Sequence, residues 1–161
     1  DPHLYQALPN DMAKLNAADL VLYNGLHLEG RMADLLRQLG RRKPVFPVTD
    51  DLPQSHLERL RPLPGAEQGF DPHVWFDVAL WAACTEFVAR KLAEVDPKHA
   101  TDYQRNAEQY RAELLELDGW CREQLATIPK EHRVMVTSHD AFSYFGAAYD
   151  VEVYGIQGIA I

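Results

Sequence analysis

Apolar and polar positions change their period several times along the chain, and each change marks an expected element. Residues 18–25, ADLVLYNG, form an apolar run closed by Asn-Gly, which predicts a strand followed by a loop. In LEGRMADLLRQLG, residues 28–40, the positions Leu28, Met32, Leu35, Leu36 and Leu39 share one helical face, and Gly40 ends the helix. The run PVFPV at 44–48 predicts a short strand. Strand, helix and strand at this spacing form a βαβ unit with a parallel sheet. Ahead of it, Pro9-Asn10-Asp11 starts a short helix over MAKLNAA, with Asn10 or Asp11 as the cap.

Residues 50–70 are rich in Pro, Gly and Asp and predict a long loop with a helical turn at QSHLERL. The stretch FDPHVWFD, residues 70–77, opens a helix that runs to about Glu94. Asp71 suits its N-cap and Pro72 its first turn, where the missing N–H needs no partner. A second helix follows Asp96-Pro97. Tyr103, Ala107, Tyr110, Leu114, Leu117, Cys121, Leu125 and Ile128 alternate steps of four and three, an apolar stripe on a helix about 45 Å long. Gly119 weakens that helix without stopping it. Beyond Pro129 the alternation restarts, with a strand at 133–137, a loop, a helix over AFSYFGAAY and a strand at VEVYGI. The expected class is therefore α/β, with residues 1–95 as a first lobe, 96–129 as a long connecting helix and 130–161 as the start of a second lobe.

Composition narrows the function. At 161 residues with 47% apolar and 25% charged positions, the chain has the profile of a globular domain with a real core. Its net charge of -8, with both signs mixed throughout, argues against a nucleic-acid partner, which needs a basic surface. No apolar run approaches a membrane span, and no signal peptide reveals a compartment. Cys84 and Cys121 are too few for a disulfide framework and read as small core residues. The first residue is not Met and the last run, YGIQGIAI, is apolar, so the chain reads as an internal piece of a longer protein.

Three of the seven histidines occupy one kind of place. His3 and His73 each follow Asp-Pro, and His139 lies in Ser138-His139-Asp140 after a strand. Ligand sites in open α/β sheets form at the carboxyl edge of the strands. Imidazoles there, with carboxylates to hold the other ring N–H, suit a divalent transition metal, and Asp71 and Asp140 are the candidates for that orienting role. The plainer alternative is that a histidine in a loop is solvated and Asp-Pro-His is reused turn chemistry. An amino-terminal copper or nickel site at His3 is excluded, because Pro2 has no amide N–H. His27, His56, His99 and His132 lie among polar residues and read as surface, and Trp75, Trp81 and the aromatics of FSYF at 142–145 as core. GxSxG, P-loop and GxGxxG patterns do not occur.

Taken together, DPHLYQALPNDMAKLNAADLVLYNGLHLE, DPHVWFD, DPKHATDYQRNAEQYRAEL and VTSHDAFSYFGAAYDVEVYGIQGI resemble the metal-binding substrate-binding proteins of bacterial ABC importers, the TroA-like group. The resemblance implies two Rossmann-like parallel-sheet lobes joined by one rigid helix, here truncated at both ends, with metal in the cleft between them. It implies His3, His73 and His139 as ligands, and a fourth, acidic ligand beyond Ile161. It implies zinc or manganese as cargo, with iron also admitted, an ABC permease in the membrane as partner, a monomer, and a periplasmic or otherwise extracytoplasmic place with a lipid anchor outside this chain. Two other readings stay open from the residues alone: a zinc-dependent hydrolytic enzyme, since three histidines with an open position also describe a catalytic zinc, and a metal-stabilised adhesin.

Overall fold

The computed structural model describes residues 2–63 and 68–157. Helix α1 (Pro9–Ala17) leads to strand β1 (Val21–Tyr23), helix α2 (Ala33–Leu39) and strand β2 (Val45–Pro47). A single helical turn, α3 (Gln54–Leu57), falls within the expected QSHLERL segment. Two long helices follow, α4 (Val78–Val95) and α5 (Ala100–Ala126), and then strand β3 (Val134–His139), helix α6 (Ser143–Tyr149) and strand β4 (Glu152–Gln157).

The strands pair as two separate parallel sheets, each with a helix between its strands in sequence, as the α/β class requires. β1 and β2 are in register Val21↔Val45, and β3 and β4 in register Val134↔Glu152 through His139↔Gln157. The first sheet buries Val21 against Leu36 and Leu39 of α2, with Leu15, Met32 and Val45 around them. A second core collects Val48, Leu52, Val74, Leu80, Cys84 and Tyr144. Tyr144 comes from α6, so the core is shared between the segments before and after the long helices.

α5 has 27 residues, which at 1.5 Å each spans about 40 Å. It lies along α4. Leu114 is buried, Tyr103, Ala107, Cys121 and Leu125 are half-buried, and Tyr110, Leu117 and Ile128 of the same stripe stay exposed. Gly119 sits inside the helix with nothing near its missing Cβ, so it leaves the helix unbroken. Both cysteines are free thiols. Burial pushes the Cys84 thiol up to about 12, in keeping with an inert core residue. The aromatics behave as core: Phe142 stacks on Phe76 at 4.2 Å between ring centres, and Phe145 meets Tyr149 at 4.9 Å.

Several local expectations shift by a few residues. Helix α1 starts at Pro9, so Asn10 and Asp11 lie inside it; Asp11 instead reaches back to accept the Leu8 backbone N–H at 3.0 Å. β3 runs two residues further than expected and ends on His139. Residues 64–67 of the 50–70 loop and residues 158–161 of the final apolar run lie outside the described residues. The largest correction concerns FDPHVWFD. Asp71 is not the cap of the long helix. A short 3₁₀ turn, Val74–Phe76, intervenes, and Asp77 caps α4 by accepting the Leu80 N–H at 3.1 Å. The stretch holds two aspartates six positions apart, and the first is committed to the histidine beside it.

Asp77 does more than cap. Its other oxygen accepts Arg59 Nε at 2.8 Å and Nη2 at 2.5 Å, a forked pair that ties the segment after α3 to the start of α4. Asp77→Ala removes both contacts, and the cap alone is worth about 0.5–2 kcal/mol. The expected result is a lower thermal midpoint with unchanged native helicity. Asp77→Asn keeps the cap and should fall between the two by thermal denaturation.

Candidate metal centre

Three separate segments deliver His3, His73 and His139 to one place. His3 lies in the turn at residues 2–4 and is 3% exposed, as is His73. What lets the chain start approach so closely is Gly30. A Cβ on Gly30 would stand 2.0 Å from the His3 carbonyl oxygen, so only a residue without one fits, and its φ of +43° also favours glycine. The loop from Asn24 to Gly30 is itself pinned by Glu29, whose carboxylate accepts the N–H groups of Asn24 at 2.7 Å and Gly25 at 3.1 Å. Asn24 Nδ2 then donates to the Pro72 carbonyl at 2.9 Å. One loop, at the carboxyl end of β1, therefore braces both the turn that carries His3 and the segment Asp71-Pro72-His73.

His73 is held by Asp71, which is fully buried. Asp71 Oδ1 accepts the His73 backbone N–H at 3.0 Å and ring Nδ1–H at 2.6 Å. Asp71 Oδ2 accepts the Ser143 hydroxyl, and the Asp71 carbonyl accepts the Tyr144 hydroxyl at 2.8 Å. Tyr144 Oη in turn accepts the Arg61 N–H at 3.1 Å. Burial alone would raise the Asp71 carboxyl, but the hydrogen bonds from His73, Ser143 and the His73 amide outweigh it and hold the group below its usual range. The carboxylate thus sits on Nδ1 of the His73 ring, and Nε2 of the same ring faces the other two imidazoles.

His139 ends β3, at the carboxyl edge of the second sheet. Its carbonyl accepts the Thr137 hydroxyl at 2.9 Å and the Ala141 N–H at 3.0 Å, which fixes the turn out of the strand. Asp140, expected to orient an imidazole, is half-buried against Gly155 of β4, where a Cβ would lie 2.5 Å from Asp140 Cβ. Among the described residues no hydrogen bond joins Asp140 to any of the three rings. His27 and His132 are exposed, the His56 ring meets the Ser55 hydroxyl, and His99 pairs with Asp96 at the corner between α4 and α5.

The ring nitrogens converge. His3 Nε2 lies 3.2 Å from His73 Nε2, and His139 Nε2 lies 3.2 Å from the same atom. Ligand atoms of all three lie within 4.8 Å of one another. A tetrahedron with metal–nitrogen bonds of about 2.0–2.1 Å has edges of about 3.3 Å. The two observed spacings match such an edge. Burial, then repulsion from His73 and His139, lowers the basicity of His3. The Asp71–His73 pair is the carboxylate–imidazole arrangement that holds a metal-binding ring in one tautomer.

Four supporting residues escaped the sequence reading. Asn24 and Glu29 sit in the NGLHLE loop, where Asn-Gly had signalled only the end of a strand. Ser143 and Tyr144 sit in the aromatic cluster of FSYF. Their partner Asp71 is 72 and 73 positions away, a separation for which no local pattern exists.

The chain matches the family model described as zinc-uptake complex component A, periplasmic, over residues 1–161. Among curated relatives it is 43% identical over 161 residues to the manganese-binding lipoprotein MntA of Bacillus subtilis (strain 168), covering 99% of this chain and 51% of that protein. It is 41% identical over 160 residues to the zinc-binding protein TroA of Treponema pallidum (strain Nichols), covering 99% of this chain and 50% of TroA. Among solved structures, the periplasmic zinc binding protein TroA from Treponema pallidum superposes with a TM-score of 0.90 at 41% identity, covering 99% of this chain and 56% of that one. The chain thus spans about half the length of the curated relatives it matches.

The close approach at Gly30 is open to test. Gly30→Ala puts a methyl group into the His3 carbonyl, so the turn at residues 2–4 must move. In imidazole NMR spectra the His3 resonances should shift strongly while those of His99, at the far corner of the helices, stay in place. Unmoved His3 signals would show that the loop yields instead.

Proposed function

The chain belongs to the family of periplasmic component A proteins of zinc-uptake complexes, and we propose that His3, His73 and His139 bind a divalent transition metal that the parent protein captures and passes on. The observation that carries this reading is the convergence of the three imidazoles, with His3 Nε2 and His139 Nε2 each 3.2 Å from His73 Nε2 and Asp71 Oδ1 at 2.6 Å from the Nδ1 of that central ring. On this reading residues 1–95 form one lobe, 96–129 the connecting helix and 130–161 the beginning of the second lobe. The metal sits where the carboxyl edges of the two sheets face each other. The partner is an ABC permease in the membrane, and the protein acts as a monomer outside the cytoplasm, held by a lipid anchor. No helix among the described residues is long and apolar enough to cross a membrane.

Zinc and manganese are the cargo candidates, with iron admitted by the same donors. Three imidazoles with two edges of 3.2 Å suit tetrahedral zinc, while an added carboxylate would raise the coordination number and admit manganese or iron. Capture rather than hydrolysis is favoured by Asp71. Among the described residues it is the carboxylate hydrogen-bonded to one of the three rings, and both its oxygens are engaged by His73 and Ser143, so it is not poised as a general base.

Calorimetric titration with zinc and with manganese tests the assignment. His73→Ala should weaken binding by more than about 100-fold, beyond the loss seen when only an outer hydrogen-bond partner is removed. Saturating metal at about 100 times its dissociation constant should raise stability by about 2.7 kcal/mol, reversed by a chelator. Undiminished high-affinity binding by His73→Ala would sink the site.

A further inference from the structure

The Asp71 carboxylate has two oxygens with two different clients. Oδ1 serves His73, two residues away, and Oδ2 serves Ser143, the first residue of α6. Ser143 lies four positions after His139, so one short connection between β3 and α6 both ends on a histidine and grips the carboxylate behind another histidine. The next residue, Tyr144, grips the main chain of Asp71 through its hydroxyl and is 1% exposed within the shared core. The grip is therefore double, on the carboxylate by Ser143 and on the carbonyl by Tyr144. Asp71 is fully buried.

We propose that Ser143 is a positioning residue for the metal site: its hydroxyl fixes the Asp71 carboxylate so that Oδ1 accepts the Nδ1–H of His73 and Nε2 is presented bare to the cation. The inference rests on the reading of the three histidines as ligands and adds a residue that never touches the metal. The physical argument is one of competing orientations. A carboxylate can turn about its Cβ–Cγ bond, and its two oxygens are chemically equivalent. With Ser143 donating to Oδ2, turning would break that bond inside the protein, where an unmade hydrogen bond is costly. Without the hydroxyl the carboxylate has an unsatisfied oxygen and a reason to rotate, and His73 is free to flip or to move its proton to Nε2. A proton on Nε2 removes the lone pair from the one atom that stands 3.2 Å from both other imidazoles.

The same geometry makes the contact reciprocal. Docking of the segment 139–144 on Asp71 prepares His73 and places His139 opposite it, so metal binding and docking should each favour the other. The tyrosine supplies packing and holds the main chain, and the serine supplies the polarity that the tautomer depends on. Exchanging the serine for alanine thus separates orientation from packing, since Tyr144 stays in place.

The test uses three versions of the purified protein: wild type, Ser143→Ala and Ser143→Thr. Long-range proton–nitrogen NMR spectra of the metal-free protein read the His73 tautomer directly, and calorimetry with zinc reads affinity. In Ser143→Ala the Nε2–H tautomer of His73 should appear beside the Nδ1–H form, and zinc affinity should fall by about 10–100-fold, the range for outer hydrogen-bond partners. Ser143→Thr, which keeps the hydroxyl, should restore both. Ser143→Ala with an unchanged tautomer overturns the inference, whether or not affinity falls, because any loss would then come from packing. Failure of the metal reading shows separately: His73→Ala would bind zinc like wild type, while the tautomer comparison in metal-free protein would still decide the role of Ser143.

Discussion

A buried carboxylate is the constraint around which this structure is arranged. Asp71 is fully removed from solvent, and an ion in that position must have its lone pairs filled by the protein. The donors come from both sides of the long helices: the amide and ring of His73 from one, and the hydroxyl of Ser143 from the other. Removing a partner from a buried charge costs about 3–5 kcal/mol, so the segments carrying those donors are held in place by the ion they satisfy. Tyr144 anchors the same junction from the apolar side. It fills the core beside Val74 and Leu80 while its hydroxyl closes the Asp71 carbonyl.

The supports of the three imidazoles differ in kind. His73 is fixed through its side chain, by a carboxylate on its own segment. His3 is fixed through its backbone, where the absence of a Cβ on Gly30 lets two loops touch. His139 is fixed by strand pairing and by the bonds that close on its carbonyl. Sheets and helices contribute at a distance, by bringing the carboxyl ends of β1 and β3 toward the same point, the position that open parallel sheets favour for ligands.

Regular elements and candidate rings were legible in the sequence because their signals are local. The stripe from Tyr103 to Leu125 repeats at helical spacing, the βαβ run from Val21 to Pro47 shows its period, and Asp-Pro-His stands out twice. The second shell of support was not legible. Nothing near Ser143 announces a partner 72 positions away, and nothing near Gly30 announces a contact with His3. Asp71 and Asp140 looked alike, each an aspartate close to a histidine, yet only Asp71 bonds to a ring. The difference lies in direction. In Asp71-Pro72-His73 the two side chains return to the same side of a turn, whereas Asp140 directly follows His139 at the strand end and is carried to the neighbouring strand, against Gly155.

The misplaced helix cap follows from the same cause. Capping rules treat an aspartate before a proline and a helix as a cap, because they weigh only the adjacent N–H groups. In FDPHVWFD the rule had two aspartates to choose from, and the neighbouring histidine decides between them. Asp71 already accepts an amide and a ring N–H from His73, so capping α4 falls to Asp77, one 3₁₀ turn later. Without that extra turn, Asp71 would be drawn to the helix end, and His73 would lose the acceptor that settles where its proton sits. Thus the apparent irregularity at the start of α4 is what frees one carboxylate for the helix and the other for the ring.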